Sequence, residues 1–99
     1  MLFRPPTVAQ MKLWKERLNY SGSQMAQILG LKSSRRWREL VDENKPQGIA
    51  PANLFMGVAL TILPQKEINR VLEEMREIGA VIDLDAAPDS SELAGDHIS

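Results

Sequence analysis

A chain of 99 residues, 43% apolar and 25% charged, has material for one modest hydrophobic core and not for two. It contains no cysteine, which excludes disulfides and thiolate metal sites and removes any argument for an oxidising compartment. The net charge of −1 conceals a division: residues 1–45 carry nine Lys+Arg against four Asp+Glu, and residues 46–99 carry three against nine, so +5 is followed by −6. A basic half of this kind points to a polyanionic partner.

In chain order, apolar residues recur at intervals of three and four rather than two, which predicts an all-α, five-helix domain with a short C-terminal tail. MLFRPPTVAQ has no apolar run of signal-peptide length, and Pro5-Pro6 would break one. Thr7 to Leu18 places Val8, Met11, Trp14 (or the stem of Lys15) and Leu18 on one face. Thr7 and Gln10 have the spacing of a capping box, and Asn19-Tyr20 reads as the exit. Ser21 and Gln24 repeat that spacing at the head of a second helix, with Met25, Ile28 and Leu29 inward and Gly30 closing it in a left-handed conformation. A third helix is expected over about 33–41, held by Trp37, Leu40 and Val41.

Asn44 to Gly48 is a loop by composition, and Pro51 fits the first turn of a fourth helix. The nearly continuous apolar run Leu54 to Leu63 predicts that this helix is buried on most sides, yet the run is about half of what a membrane span needs. A cytoplasmic protein with no membrane partner is expected. After Pro64 comes the cleanest periodicity in the chain, residues 65–78, with Ile68, Val71, Leu72, Met75 and Ile78 on one stripe and Arg70 spaced to pair with Glu73 and Glu74. Gly79 terminates it. The domain is thus expected to span 1–79, with 80–84 extended and 86–99 an acidic, disordered tail.

Chemistry concentrates in LGLKSSRRWRELV, residues 29–41, where Lys32, Arg35, Arg36 and Arg38 fall within seven residues around Trp37. Two short helices joined by a tight glycine turn, the second strongly basic, have the sequence form of a helix-turn-helix. The apolar stripe fixes the basic helix on the domain, and the opposite face enters a groove about 12 Å wide. Ser33 caps the helix and offers backbone amides to a phosphate. Arginine at a groove-facing position makes two hydrogen bonds to guanine O6 and N7, while flanking Lys32 and Arg36 suit phosphates. Trp14 and Trp37 both fall on apolar stripes, which assigns them to the core rather than to base stacking. The methionines suit gap-filling.

Ser21-Gly-Ser-Gln-Met25-Ala26-Gln-Ile-Leu29-Gly30, followed by Leu31, resembles the helix-turn-helix pattern of phage Cro and repressor proteins, the XRE-type group. The likeness covers about residues 7–63 and extends to the small repressors that accompany anti-CRISPR genes in phages. Two positions depart from it. Gly22 stands where the family often has a phosphate-contacting Gln, and the turn Gly30 to Ser33 is one residue longer than the commonest form if Trp37 takes the family's buried position. On that alignment the base-reading positions fall on Ser34, Arg35 and Glu39; Glu39 would accept from cytosine N4 or orient Arg35 or Arg36. The resemblance implies a sequence-specific regulator, a repressor, binding double-stranded DNA as a homodimer. Its expected DNA contacts are Lys32, Ser33, Ser34, Arg35, Arg36, Arg38 and Glu39, with Ser23 and Gln24 from the preceding helix. Its expected dimer contacts are Ile68, Val71, Leu72, Met75 and Ile78.

A different class of function, a protein-interaction module on the same scaffold, would use the basic face on an acidic protein surface, or the acidic tail as a mimic of nucleic acid. It covers an antitoxin, a phage packaging adaptor or an inhibitor of a nucleic-acid enzyme. Asp83 and Asp85 lack a nearby His or second acidic cluster, and the single histidine, His97, lies in the acidic tail. With no Ser-His-Asp set, Gly-rich phosphate loop or thiol, neither an enzyme nor a cofactor, metal or small-molecule ligand is expected.

Overall fold

Five helices make up the regular structure: α1 (Val8–Leu18), α2 (Gly22–Ile28), α3 (Ser34–Leu40), α4 (Pro51–Ile62) and α5 (Gln65–Glu77). They are those of a computed structural model that describes residues 1–45 and 47–84. The expected tail, with Asp85 and His97, lies outside the described residues, as does Pro46 of the loop. The chain is all-α, and no described helix is long and apolar enough to cross a membrane.

Local chemistry accounts for the helix ends. Thr7 accepts from the Gln10 amide while the Gln10 side chain accepts from the Thr7 amide, and Ser21 and Gln24 repeat this reciprocal box. At the other ends, α1, α2 and α5 close alike. Asn19, Gly30 and Gly79 have φ of 57°, 66° and 105°, and the next amides, of Tyr20, Leu31 and Ala80, donate back to Lys15, Ala26 and Met75. With the bonds from the Asn19, Gly30 and Gly79 amides to Glu16, Gln27 and Arg76, these satisfy carbonyls the helix leaves open, at a residue whose conformation disfavours a Cβ.

The hub is α2, which packs on α3 and on α4. Met25, Ala26 and Leu29 are buried there with Met11, Trp37, Leu40 and Ile49, and Trp14, Leu18, Ile28 and Val41 pack around them. Asn53 ties α4 to the end of α2 by donating to the Leu29 carbonyl at 2.7 Å. Gly57 permits the close approach: a Cβ there would stand 2.5 Å from Leu29 Cδ2 and 3.2 Å from Trp14 Cη2. Gly57→Ala gains about 1 kcal/mol of helix propensity but overpacks a fully buried leucine at roughly 1–3 kcal/mol or more. The expected net result is a lower urea midpoint; an unchanged or raised one would show that α4 does not sit this close.

Two expectations are corrected. First, α4 is not buried on most sides: Gly57 is its one buried residue, while Phe55 and Ile62 remain 78% and 71% exposed. Its α2-facing side is packed, but no described layer lies over the other; the apolar run reported composition, not enclosure. Second, the Arg70 guanidinium pairs one turn back with Glu67, at 3.4 Å, not forward with Glu73 or Glu74. Residues 80–84 carry no strand. They return toward α2, where the Gln27 side-chain amide donates to the Leu84 carbonyl.

Candidate nucleic-acid interface

The five-residue segment from Leu29 to Ser33 sets α3 against α2. Gly30 turns the chain left-handed, and Leu31 packs back on the core. Ser33 opens α3 by accepting from the Arg36 amide at 3.4 Å. Trp37 and Leu40, 3% and 5% exposed, then fix the helix's rotation. The indole lies over the start of α2, where a Cβ on Gly22 would come within 3.3 Å of Trp37 Cδ1. The departure at Gly22 thus has a steric reason: a side chain there would crowd the residue that anchors α3.

With 100° between successive residues, burying Trp37 and Leu40 leaves Arg35, Arg38 and Glu39 on the opposite face, with Ser34 and Arg36 on its flanks. Arg35, Arg36 and Arg38 are exposed, as is Lys32 in the turn before α3. The positive charge is not unopposed. Glu39 accepts from Arg36 Nη1 at 2.9 Å and lies 3.7 Å from Arg35 Nε. These pairs are exposed enough to be worth little to stability, so their main effect is to orient the guanidinium groups. Arg36 Nη1 also donates to Gln47 Oε1 at 2.8 Å, which steers that arginine toward the loop before α4. Arg38 Nη1 reaches Ser34 Oγ at a long 3.5 Å.

The expected DNA-contacting residues therefore divide. Lys32, Arg35, Arg36 and Arg38 are exposed, Ser34 and Glu39 half-buried beside them. Ser23 and Gln24 are exposed at the head of α2; the Gln24 carbonyl oxygen is used on the Ser21 amide, leaving its NH2 end as the donor side. Ser33 is buried and caps α3 by accepting from the Arg36 amide, the capping role expected of it. Gln47 was not legible as part of this surface, because its link to Arg36 spans eleven residues and follows no helical spacing.

The stripe expected for dimerisation is also split. Ile68 is buried, and Leu72 and Met75 are half-buried in a hollow of about 260 Å³ shared with α4, Ile82 and Leu84. Val71 and Ile78 remain 54% and 77% exposed. Among the described residues no group of three His, Cys, Asp or Glu side chains is placed to hold a metal ion. Comparison of the chain with protein-family models, with curated proteins and with solved structures finds no match.

Proposed function

We propose that the chain is a sequence-specific DNA-binding transcriptional regulator, a repressor acting in the cytoplasm as a homodimer on an inverted-repeat site. It performs no catalysis. α2 and α3 serve as the helix-turn-helix, with α3 in the major groove. The observation that carries this reading is the exposed Arg35, Arg36 and Arg38 around a helix anchored by a buried tryptophan. Arg35 and Arg38 lie on the outward face and are suited to guanine edges. Lys32, Arg36 and the NH2 end of Gln24 suit phosphates, which set affinity and register without reading sequence. Glu39, held between Arg35 and Arg36, aligns them before DNA arrives.

Selection of bound duplexes from random DNA tests the reading in one experiment. The expected product is a two-fold symmetric site whose half-sites are about one helical turn apart. On that site, with roughly four phosphate contacts per protomer, log K should fall against log salt with a slope near −7. Recovery of no preferred sequence would reject the reading. Salt-insensitive capture of one protein instead would favour the interaction module.

A further inference from the structure

We propose that the outward face of α4, centred on Phe55, Val58 and Ile62, is where a second copy of this chain docks, the two α4 helices crossing antiparallel on a two-fold axis. This rests on the homodimer reading above and moves its interface away from the stripe of α5.

The surface is of an unusual kind. α4, PANLFMGVALTI, contains no ionisable residue, so neither of its faces is made for water. One side is spent on α2 through Gly57 and Asn53. On the other, Phe55, Val58 and Ile62 follow at i, i+3 and i+7 and border a groove of about 490 Å³ completed by Phe3, Leu54 and Leu63. Phe55, Leu63 and Val71 also border the hollow between α4 and α5, which makes the apolar patch continuous across both helices. Together these exposed side chains offer roughly 500 Å² per protomer, at the upper end of what a monomer leaves bare. Two such faces would bury on the order of 1,000 Å², the threshold for specific association.

Charge decides the occupant. A two-fold axis sets a patch against itself, so every ionised group in it meets a like one. The residues lining the α4 groove have no ionisable side chain, and the one charge among them is the terminal ammonium of Met1. Val71 on α5, by contrast, shares its surface hollow with Glu67, Glu73, Glu74 and Glu77 against the single guanidinium of Arg70, so a two-fold centred there would oppose two net-acidic sets. A strongly acidic or basic protein has nothing on α4 to pair with, whereas the face tolerates its own copy. With the axis near Val58 and Ala59, Phe55 of each protomer meets Ile62 of the other.

Sedimentation equilibrium and light scattering on the full chain test this. The wild type should be dimeric. Phe55→Asp and Ile62→Asp should each raise the dimer dissociation constant on the order of 30-fold or more. Ile78→Asp, at the exposed C-cap of α5, should leave it unchanged. Because Phe55 and Ile62 are exposed, the circular dichroism of the variants should match the wild type, and their Tm should match that of wild type diluted until it is monomeric. Independently of any loss of folding, Val58→Cys introduces the only cysteine in the chain and should oxidise to a covalent dimer, where Ile78→Cys does not. A wild type that is monomeric at every concentration, aspartate variants that associate as the wild type does, or capture of a different protein on this face by a monomer would overturn the proposal. DNA selection is scored separately. A chain that dimerises through α4 but selects no sequence would reject the regulator reading and leave this interface standing; a monomer with a selected half-site would reject this interface and the homodimer and leave only the DNA-reading face of α3.

Discussion

Replacing Arg35 and Arg38 together by alanine should abolish sequence-specific DNA binding while leaving the fold untouched. Each guanidinium that reads a guanine edge discriminates by about 1–3 kcal/mol, so loss of two per protomer lowers affinity for the selected site on the order of 100-fold or more. The Tm should not move appreciably. Both residues are exposed; among the described residues Arg35 makes a long, exposed ion pair to Glu39, and Arg38 a long contact to Ser34. Fluorescence anisotropy on the selected duplex and on a scrambled duplex separates the two contributions. Specific affinity should fall toward the non-specific value, with some non-specific loss because charge has also been removed. A double variant that binds the selected site as tightly as the wild type would remove α3's outward face from the reading surface.

Trp37→Ala should have the largest effect on stability of any single change in α3. Truncating a buried tryptophan costs about 3–5 kcal/mol, against total stabilities of about 5–15 kcal/mol for small domains. The indole fills the space between α3 and the start of α2, and Gly22 contributes no side chain that could close the gap. The expected result in urea, followed by far-UV circular dichroism, is a midpoint so lowered that a substantial fraction is unfolded without denaturant. Trp37→Phe keeps much of the volume and should fall between the two. An alanine variant with a wild-type midpoint would mean that α3 is not held by this residue, and that the orientation of its arginines has another cause.

These two changes separate positioning from contact. The arginines occupy the solvent face and contribute little to folding, while Trp37 has no access to DNA and acts only through the helix it anchors. Stability measured beside binding tells them apart. The expected pattern is binding lost at full stability for Arg35 and Arg38, and both lost together for Trp37.

How much of this was legible in the sequence follows from the range over which each feature is decided. Helix ends were, because their chemistry is contained within six residues: the reciprocal Thr7–Gln10 and Ser21–Gln24 boxes, and the left-handed Asn19, Gly30 and Gly79. The anchoring stripe Trp37–Leu40 was, because it follows from helical period alone. Burial of α4 and α5 was not. An apolar run states what a helix would bury, but only the presence of a second layer decides whether it does, and α4 has α2 on one side and no described layer on the other. The α5 stripe was read as a single surface, and packing divided it: Ile68, Leu72 and Met75 are covered in the hollow shared with α4, while Val71, which also borders that hollow, and Ile78 stay exposed. Contacts between distant segments were hidden for the same reason: Arg36 to Gln47, and Gln27 to the carbonyl of Leu84, obey no local period. Sequence by itself therefore determined which helices form and which residues each would turn inward. Tertiary structure alone decided which of those inward faces find a neighbour, because burial depends on three-dimensional packing rather than on the pattern along one helix.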